Sequence, residues 1–376
     1  MTDAGARWVR RPARVAALLA ALLVAVACTT TQGPAGRPAP TPTSTTAPEL
    51  PATTAEPRRP VRIAFAGDIH FEGVLADRLR DPRTALATAT RALAGADLAV
   101  ANLETSVGTG GRPDPTKRFT FSAGPEALTA LAAAGIDVAT MANNHALDFG
   151  RERLPSTFRA IGAAAGTQRP LTVIGIGRDA EAAFRPSLTD VDGTVVATIS
   201  ASLADQDPTA DPTGSWAATD DRAGIADALD PTRLLAGVRR ADRDADVAVA
   251  YLHWGVQGER CPSPDQRSLA RRLVRAGADV VVGTHAHRLQ GDGRLGQGYV
   301  AYGLGNFAWY SPGPTGVLTL TVRPPDERPG RARVTRARWW PAAIGADGLA
   351  ARSTGEAAER FAAEREALRA CAGLRR

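Results

Sequence analysis

The chain holds five histidines, and all five stand in short polar strings that follow apolar runs. The strings are Ala66-Gly67-Asp68-Ile69-His70, Met141-Ala142-Asn143-Asn144-His145, Tyr251-Leu252-His253-Trp254-Gly255 and Gly283-Thr284-His285-Ala286-His287. A fifth apolar run ends in Asn102-Leu103-Glu104. Imidazole, carboxylate and amide oxygen form a borderline-to-hard donor set that suits Mn, Fe or Zn. No cysteine is among them, which excludes a thiolate zinc-finger site. Asp68 and His70 are two residues apart, as are His285 and His287, so each pair can turn towards one ion. With Glu104, Asn144 and His253 they make seven candidate ligands. That is more than one ion needs and enough for two divalent ions with open water positions. A lone strand-end histidine is more often a hydrogen-bonding or surface residue, and Asn143-Asn144-His145 alone also reads as turn chemistry. The recurrence of the pattern is what points to a metal site.

The elements that must position these residues are legible as an alternation. Apolar runs at 61–66, 98–101, 136–141, 173–176, 195–200, 247–252, 280–282, 299–304 and 317–322 read as buried strands. Helical patterns lie at 84–94, 125–134, 151–165, 232–241 and 264–276, three of them opened by Pro125, Pro231 and Pro264. Alternation of this kind predicts an α/β fold with covered sheets, and ligands then gather at the carboxyl ends of the strands. Residues 357–370 read as a C-terminal helix. Residues 204–223, rich in Asp, Pro, Thr and Gly, read as a long surface loop.

The N-terminus reads as an address. Four arginines precede a 13-residue apolar run at 15–27, too short to span a bilayer and suited to a signal peptide. The run ends Ala25-Val26-Ala27-Cys28, which resembles a bacterial lipoprotein processing site with Cys28 lipidated. A simple cleaved signal with an incidental cysteine is the alternative. Residues 29–60 are rich in Thr, Pro and Ala and read as a disordered tether that holds a domain, 61–350, away from a membrane. The remainder, 351–376, carries the C-terminal helix. Outside the cytoplasm Cys261 and Cys371 can pair; two separate buried thiols are the alternative. The net charge of +6 owes half its value to the leader, and no dense Lys/Arg patch supports a nucleic-acid partner.

Taken in order, the strings DxH, NLE, NNHxxDxG, HWG, GxHxH and GLGNF resemble those of the CapA-type capsule-assembly proteins. These are linked to poly-γ-glutamate biosynthesis and belong to the calcineurin-like metallophosphoesterase superfamily. The resemblance spans about residues 61–309. It implies a four-layer α-β-β-α sandwich of two mixed sheets flanked by helices. Carried onto this sequence, it implies that Asp68, His70 and His287 hold one ion and that Asn144, His253 and His285 hold a second. Glu104 stands nearest the superfamily's bridging aspartate, and its extra methylene leaves open a changed metal spacing or a single ion. His145 matches the histidine that protonates the leaving group. Ala146 follows it where the wider superfamily has an acidic residue. Asp148 is then either its orienting carboxylate or an N-cap for the helix at 151–165.

Three further residues are candidate substrate contacts. Lys117 is the only lysine among 45 basic residues and falls between the Glu104 and Asn144 strings, where it serves an anionic substrate or is merely solvated. Asn143 and Asn306 lie in strand-end turns. Trp339-Trp340 covers a sheet edge or stacks on a sugar. Two functions stay open: an exported, lipid-anchored metal-dependent hydrolase of phosphoesterase type, and a non-catalytic metal-stabilised factor that binds or exports an anionic envelope polymer.

Overall fold

The computed structural model describes residues 58–327 and 330–376; the leader, Cys28 and nearly all of the expected tether lie outside the described residues. Within the strands, alternate side chains face opposite ways. In Val61–Ile69, Ile63 and Phe65 join an apolar cluster with Val249, Tyr251, Val280 and Val282 of other strands. Ala64 and Ala66 point the other way, into a cluster with Leu128 and Leu131 of the helix Glu126–Ala133. The inward residues are large and the outward ones small, which lets helices pack closely on the outer face.

Two mixed sheets result. The eight-stranded sheet runs in the order Ala350–Arg352, Arg333–Ile344, Gly313–Arg323, Val61–Ile69, Leu98–Leu103, Val138–Thr140, Thr172–Ile174, and Asn306–Ala308 also pairs with Val61–Ile69. Its pairings from Val61–Ile69 towards Thr172–Ile174 are parallel, and those towards Ala350–Arg352 are antiparallel. The six-stranded sheet runs Asp292–Leu295, Gly298–Ala301, Val280–His285, Val247–Trp254, Thr194–Ser202, Ser187–Val191. Its four middle strands are parallel and both edge strands antiparallel. Leu234 and Val238 of Thr232–Asp244 and Leu269 and Leu273 of Pro264–Ala276 cover its outer face. The layers are therefore helix, sheet, sheet, helix, the sandwich implied by the sequence resemblance.

Local chemistry explains the helix boundaries. Pro264–Ala276 starts with a reciprocal capping box between Ser263 and Gln266, has proline in its first turn and stops at Gly277 with φ 122°. Two sequence expectations need correction. Arg333–Ile344 is a 12-residue strand with no matching apolar run in the sequence, because its arginines hide the alternation. Residues 204–223 are not a free surface loop: two short 3₁₀ turns, Ala204–Gln206 and Gly214–Trp216, fold inward, and Asp207 and Trp216 are buried.

The C-terminal helix Gly355–Ala372 is an integral part of this unit. Its Arg365 is buried, pairs with Asp292 of the six-stranded sheet and lies over the Trp339 ring, 4.2 Å from its centroid. Cys371 at its end is bonded to Cys261, with Cα atoms 5.8 Å apart. Trp339 is thus packed under the helix, and Arg365 and Phe361 occupy the surface that a sugar would need.

Candidate metal centre

The same alternation that builds the inter-sheet core delivers the polar residues to one place. Val100 faces the opposite sheet, and two and four residues on come Asn102 and Glu104, both fully buried. Val249 and Tyr251 face inward in the other sheet, and His253 follows two residues later. Strand register sets Asp68 beside Asn102, Asn102 beside Thr140, and His253 beside both Ser202 and Thr284. The apolar layer between the sheets therefore ends, at the carboxyl ends of its strands, in a rim of acids, amides and imidazoles. Close backbone approach supports the rim: Asp68 N–H donates to Gly305 O at 2.9 Å, and a Cβ on Gly67 would collide with that oxygen. His285 and His287 have φ of 87° and 52°, a left-handed conformation rare for non-glycine residues, which turns both rings back towards the rim.

Glu104 lies at the centre. Both carboxylate oxygens are buried without a hydrogen-bond partner. Its Oε1 is 3.6 Å from His253 Nε2, 3.8 Å from His145 Nε2 and 3.9 Å from His287 Nε2. These spacings are too long for hydrogen bonds. Asp68, Glu104 and His287 offer ligand atoms all within 4.8 Å of one another. Burial, and then the charge of Asp68, push the Glu104 carboxyl well above its usual range. Burial also pushes His253 and His285 down, which keeps them in the neutral form that ligates metal. A cation among these atoms would satisfy oxygens that otherwise have no partner, so the residues present fit a divalent metal.

The second group of candidate ligands also converges. His253 Nε2 lies 2.6 Å from Asn144 Oδ1 and 3.1 Å from His285 Nδ1. On its other side His285 Nε2 meets Asp207 Oδ2 at 3.1 Å. A carboxylate only accepts, so this contact puts the His285 proton on Nε2 and leaves Nδ1 as a bare donor atom. Asp207 is buried, yet bonds from His285, the Gln257 backbone and Thr209 outweigh burial and hold it below the usual carboxylate range. His287 is oriented likewise: its Nδ1 meets Asn306 Oδ1 at 2.8 Å, which aims Nε2 at Glu104.

His70 stands apart from the set assigned to it by resemblance. Its Nδ1 accepts the Glu72 N–H at 2.9 Å and its Nε2 lies 3.4 Å from the Tyr310 N–H. Phe121, Trp309 and Tyr310 box in the ring, and burial pushes its pKa down to about 3. Among the described residues it has no hydrogen bond or ion pair to Asp68 or Glu104, because both ring nitrogens face backbone donors.

Beside the rim stands a second constellation. His145 Nδ1 is 2.6 Å from Asp148 Oδ2, whose carboxylate also accepts the Phe121 N–H and the Lys117 ammonium, each at 2.6 Å. Burial raises Asp148 to about 7, with Lys117 opposing. Asp148 caps neither turn that follows: Gly150 and Arg153 hold the N-cap positions. Phe121 stacks on the His145 ring at 3.9 Å. Two substrate-contact expectations are corrected here. Lys117 is neither solvated nor at the cleft: its side chain is 1% exposed, pairs with Asp148 and the Asn144 carbonyl, and sits 4.6 Å from the Trp216 ring centroid. Asn143 is fully buried; it donates to Asn102 Oδ1 and Leu103 O and accepts the His145 N–H, so it ties the turn to the neighbouring strand. Asn306 does line the cleft.

Asn102 and Asp207 were not singled out as site residues from the sequence. Asn102 donates to Asp68 Oδ1 at 2.8 Å and lies 3.3 Å from His253 Nδ1, bridging the two sheets. Its place in the Asn102-Leu103-Glu104 string, with period-two spacing from Glu104, was a usable signal. Asp207, in a turn-rich segment, carried none.

Above the rim opens a cleft of about 270 Å³, with His145, His287 and Asn144 in its floor and Arg118, Arg288, Phe119 and Tyr310 at its sides. Phe119 is 61% exposed and Tyr310 43%, large apolar surfaces at the mouth of a polar site.

Two facing mixed sheets flanked by helices, with this donor set at their strand ends, define a sandwich-type α/β protein with a candidate metal centre. Residues 62–311 match the family described as bacterial capsule synthesis protein PGA_cap, and the chain belongs to that family. It is 33% identical over 198 residues to the capsule biosynthesis protein CapA of Bacillus anthracis, covering 51% of this chain and 45% of that protein. It is 32% identical over 197 residues to a probable polyglutamine synthesis accessory protein of Mycobacterium tuberculosis, covering 51% and 50%. The chain thus spans about half the length of the curated relatives it matches. A putative 5'-nucleotidase from Staphylococcus aureus superposes with a TM-score of 0.42 at 13% identity, covering 82% of this chain and 58% of that one.

Proposed function

We propose that this protein is an exported, lipid-anchored, metal-dependent hydrolase of phosphoesterase type that acts in the synthesis of an anionic envelope polymer such as poly-γ-glutamate. The observation that carries the reading is Glu104: a fully buried carboxylate, both oxygens unpartnered, with three imidazole nitrogens 3.6–3.9 Å away. Asp68, Glu104 and His287 would hold one divalent ion and Asn144, His253 and His285 a second. Such ions supply Lewis-acid polarisation of a substrate oxygen and a more acidic water.

The chain's own residues have separate tasks. Asp207 and Asn306 fix the ring orientations of His285 and His287. Asp148 keeps the His145 proton on Nδ1, so Nε2 is the atom that takes a proton from solvent and hands it to a leaving group, and the Asp148 carboxylate offsets the burial that pushes the ring's pKa down. Phe121 and Trp309 exclude water from the inner wall. Two departures favour a non-catalytic factor, Glu104 in place of the bridging aspartate and Ala146 in place of an acid; the second is offset by Asp148, which reaches His145 from three residues on.

The test is metal content of the purified protein after supply of Mn, Fe or Zn, with hydrolysis of phosphoesters and γ-glutamyl polymers measured beside it. Close to two ions per chain are expected, with fewer in Asp68→Ala and His285→Ala. A folded protein that takes up no ion would sink the hydrolase reading. The anchor is tested separately: Cys28→Ser should move the protein from the membrane to the soluble fraction. Continued attachment would overturn lipidation at that residue.

A further inference from the structure

The cleft over the metal rim does not end there. A second cleft of about 340 Å³ shares Gly258, His287, Arg288, Asn306 and Ser311 with the first and continues along Pro312, Gly313 and Pro314. Three arginines line the pair of clefts, and two are already matched. Arg118 is held by Asp211 at 2.9 Å in the first cleft, and Arg260 by Glu364 in the second. Arg288 lies at the junction, next to His287, and is exposed. Among the described residues it has no ion-pair partner. The acids that line the two clefts, Asp211 and Glu364, each sit on an arginine, which leaves the Arg288 charge unneutralised.

We propose that the two clefts form one groove for a polyanionic chain, and that Arg288 pairs with an anionic group of that chain at least one unit away from the bond held at the rim. This rests on the reading that the protein acts on an anionic polymer, and it adds where the chain lies and which residue reads its length. A ligand with one anionic unit fills only the first cleft; the second has a use only when the ligand continues. A planar guanidinium suits either carboxylate or phosphate through paired N–H donors. Repeated anionic groups are therefore the shared chemistry, and two ligand series separate the sources.

Equilibrium binding of the full-length protein would be measured with γ-glutamyl oligomers and with polyphosphates, each from one unit to about eight. Arg288→Ala, Arg288→Glu and Arg288→Lys would be run beside the wild type. In at least one series the wild-type affinity should rise with length. In that series Arg288→Ala should weaken the long ligand about tenfold, or ~1.4 kcal/mol, and leave the single unit nearly unchanged. Arg288→Glu should weaken it further and Arg288→Lys less. The series that behaves so names the backbone. Affinity independent of length in both series, or length dependence untouched by Arg288→Glu, would overturn the proposal. So would equal weakening of long and single-unit ligands. Binding needs no turnover, so a length-dependent effect of Arg288 in a protein that hydrolyses nothing would support the groove and reject only the hydrolase.

Discussion

Glu104→Gln is expected to abolish tight metal binding and, at the same time, to make the metal-free protein more stable. In the absence of an ion the carboxylate is buried with no donor for either oxygen, beside Asp68 and a ring of imidazoles. Leaving such a group unsatisfied costs about 1–3 kcal/mol; glutamine cannot ionise, so the gain should be small where the buried carboxyl still holds its proton and grow as pH rises. The amide of glutamine also brings two N–H donors within reach of Nε2 of His145 and His287, whose protons sit on Nδ1 against Asp148 and Asn306. The same change removes the charge that draws a cation in, and metal affinity should drop by about 100-fold or more.

A pH signature accompanies it. Burial raises the Glu104 pKa from 4.5, so in metal-free protein the folded state keeps a proton that the unfolded chain releases. Stability from this group is full below 4.5 and declines as pH rises from there towards the folded-state value. Thermal melts in chelator between pH 4 and 8 should show that decline in the wild type and a shallower one in the glutamine variant. A variant that binds metal as well as the wild type, or that melts lower without it, would refute the assignment.

His145→Ala is expected to lower turnover about 100- to 10,000-fold while metal content stays near that of the wild type. The His145 ring is placed by Asp148 on one side and stacked by Phe121 on the other, with Nε2 facing the cleft. Asp148→Asn should reproduce much of the loss, since an amide that donates to Nδ1 would leave the proton on Nε2 instead. Lys117→Met acts through stability: it strips the buried Asp148 of its cation, and breaking a buried pair from one side costs about 3–5 kcal/mol. Turnover, metal content and melting temperature together separate the three roles. If His145→Ala loses metal in step with activity, His145 is a ligand, and the proton-transfer role fails.

The ligand types were legible in the sequence because strands carry their own arithmetic. A run such as Val247–Trp254 alternates between faces, so the inward position after Val249 and Tyr251 is His253. The same holds for Val100, Asn102 and Glu104. Apolar residues set which face is buried, and that choice carries the polar residue at the strand end into the site. Sequence by itself therefore determined the α/β alternation and which acids, amides and imidazoles gather at the strand ends.

What only the tertiary structure decided are the pairings between residues far apart in the chain. Asp207 reaches His285 across 78 positions, and Lys117 reaches Asp148 across 31. No local period encodes such contacts: each depends on where two sheets and an inward-folded turn segment come to rest. The surroundings of His70 have the same origin: Phe121, Trp309 and Tyr310, brought from two other parts of the chain, box in its ring. A side chain's type follows from sequence. Its direction at the end of a strand, where the ladder no longer holds the backbone, is set by whatever packs against it.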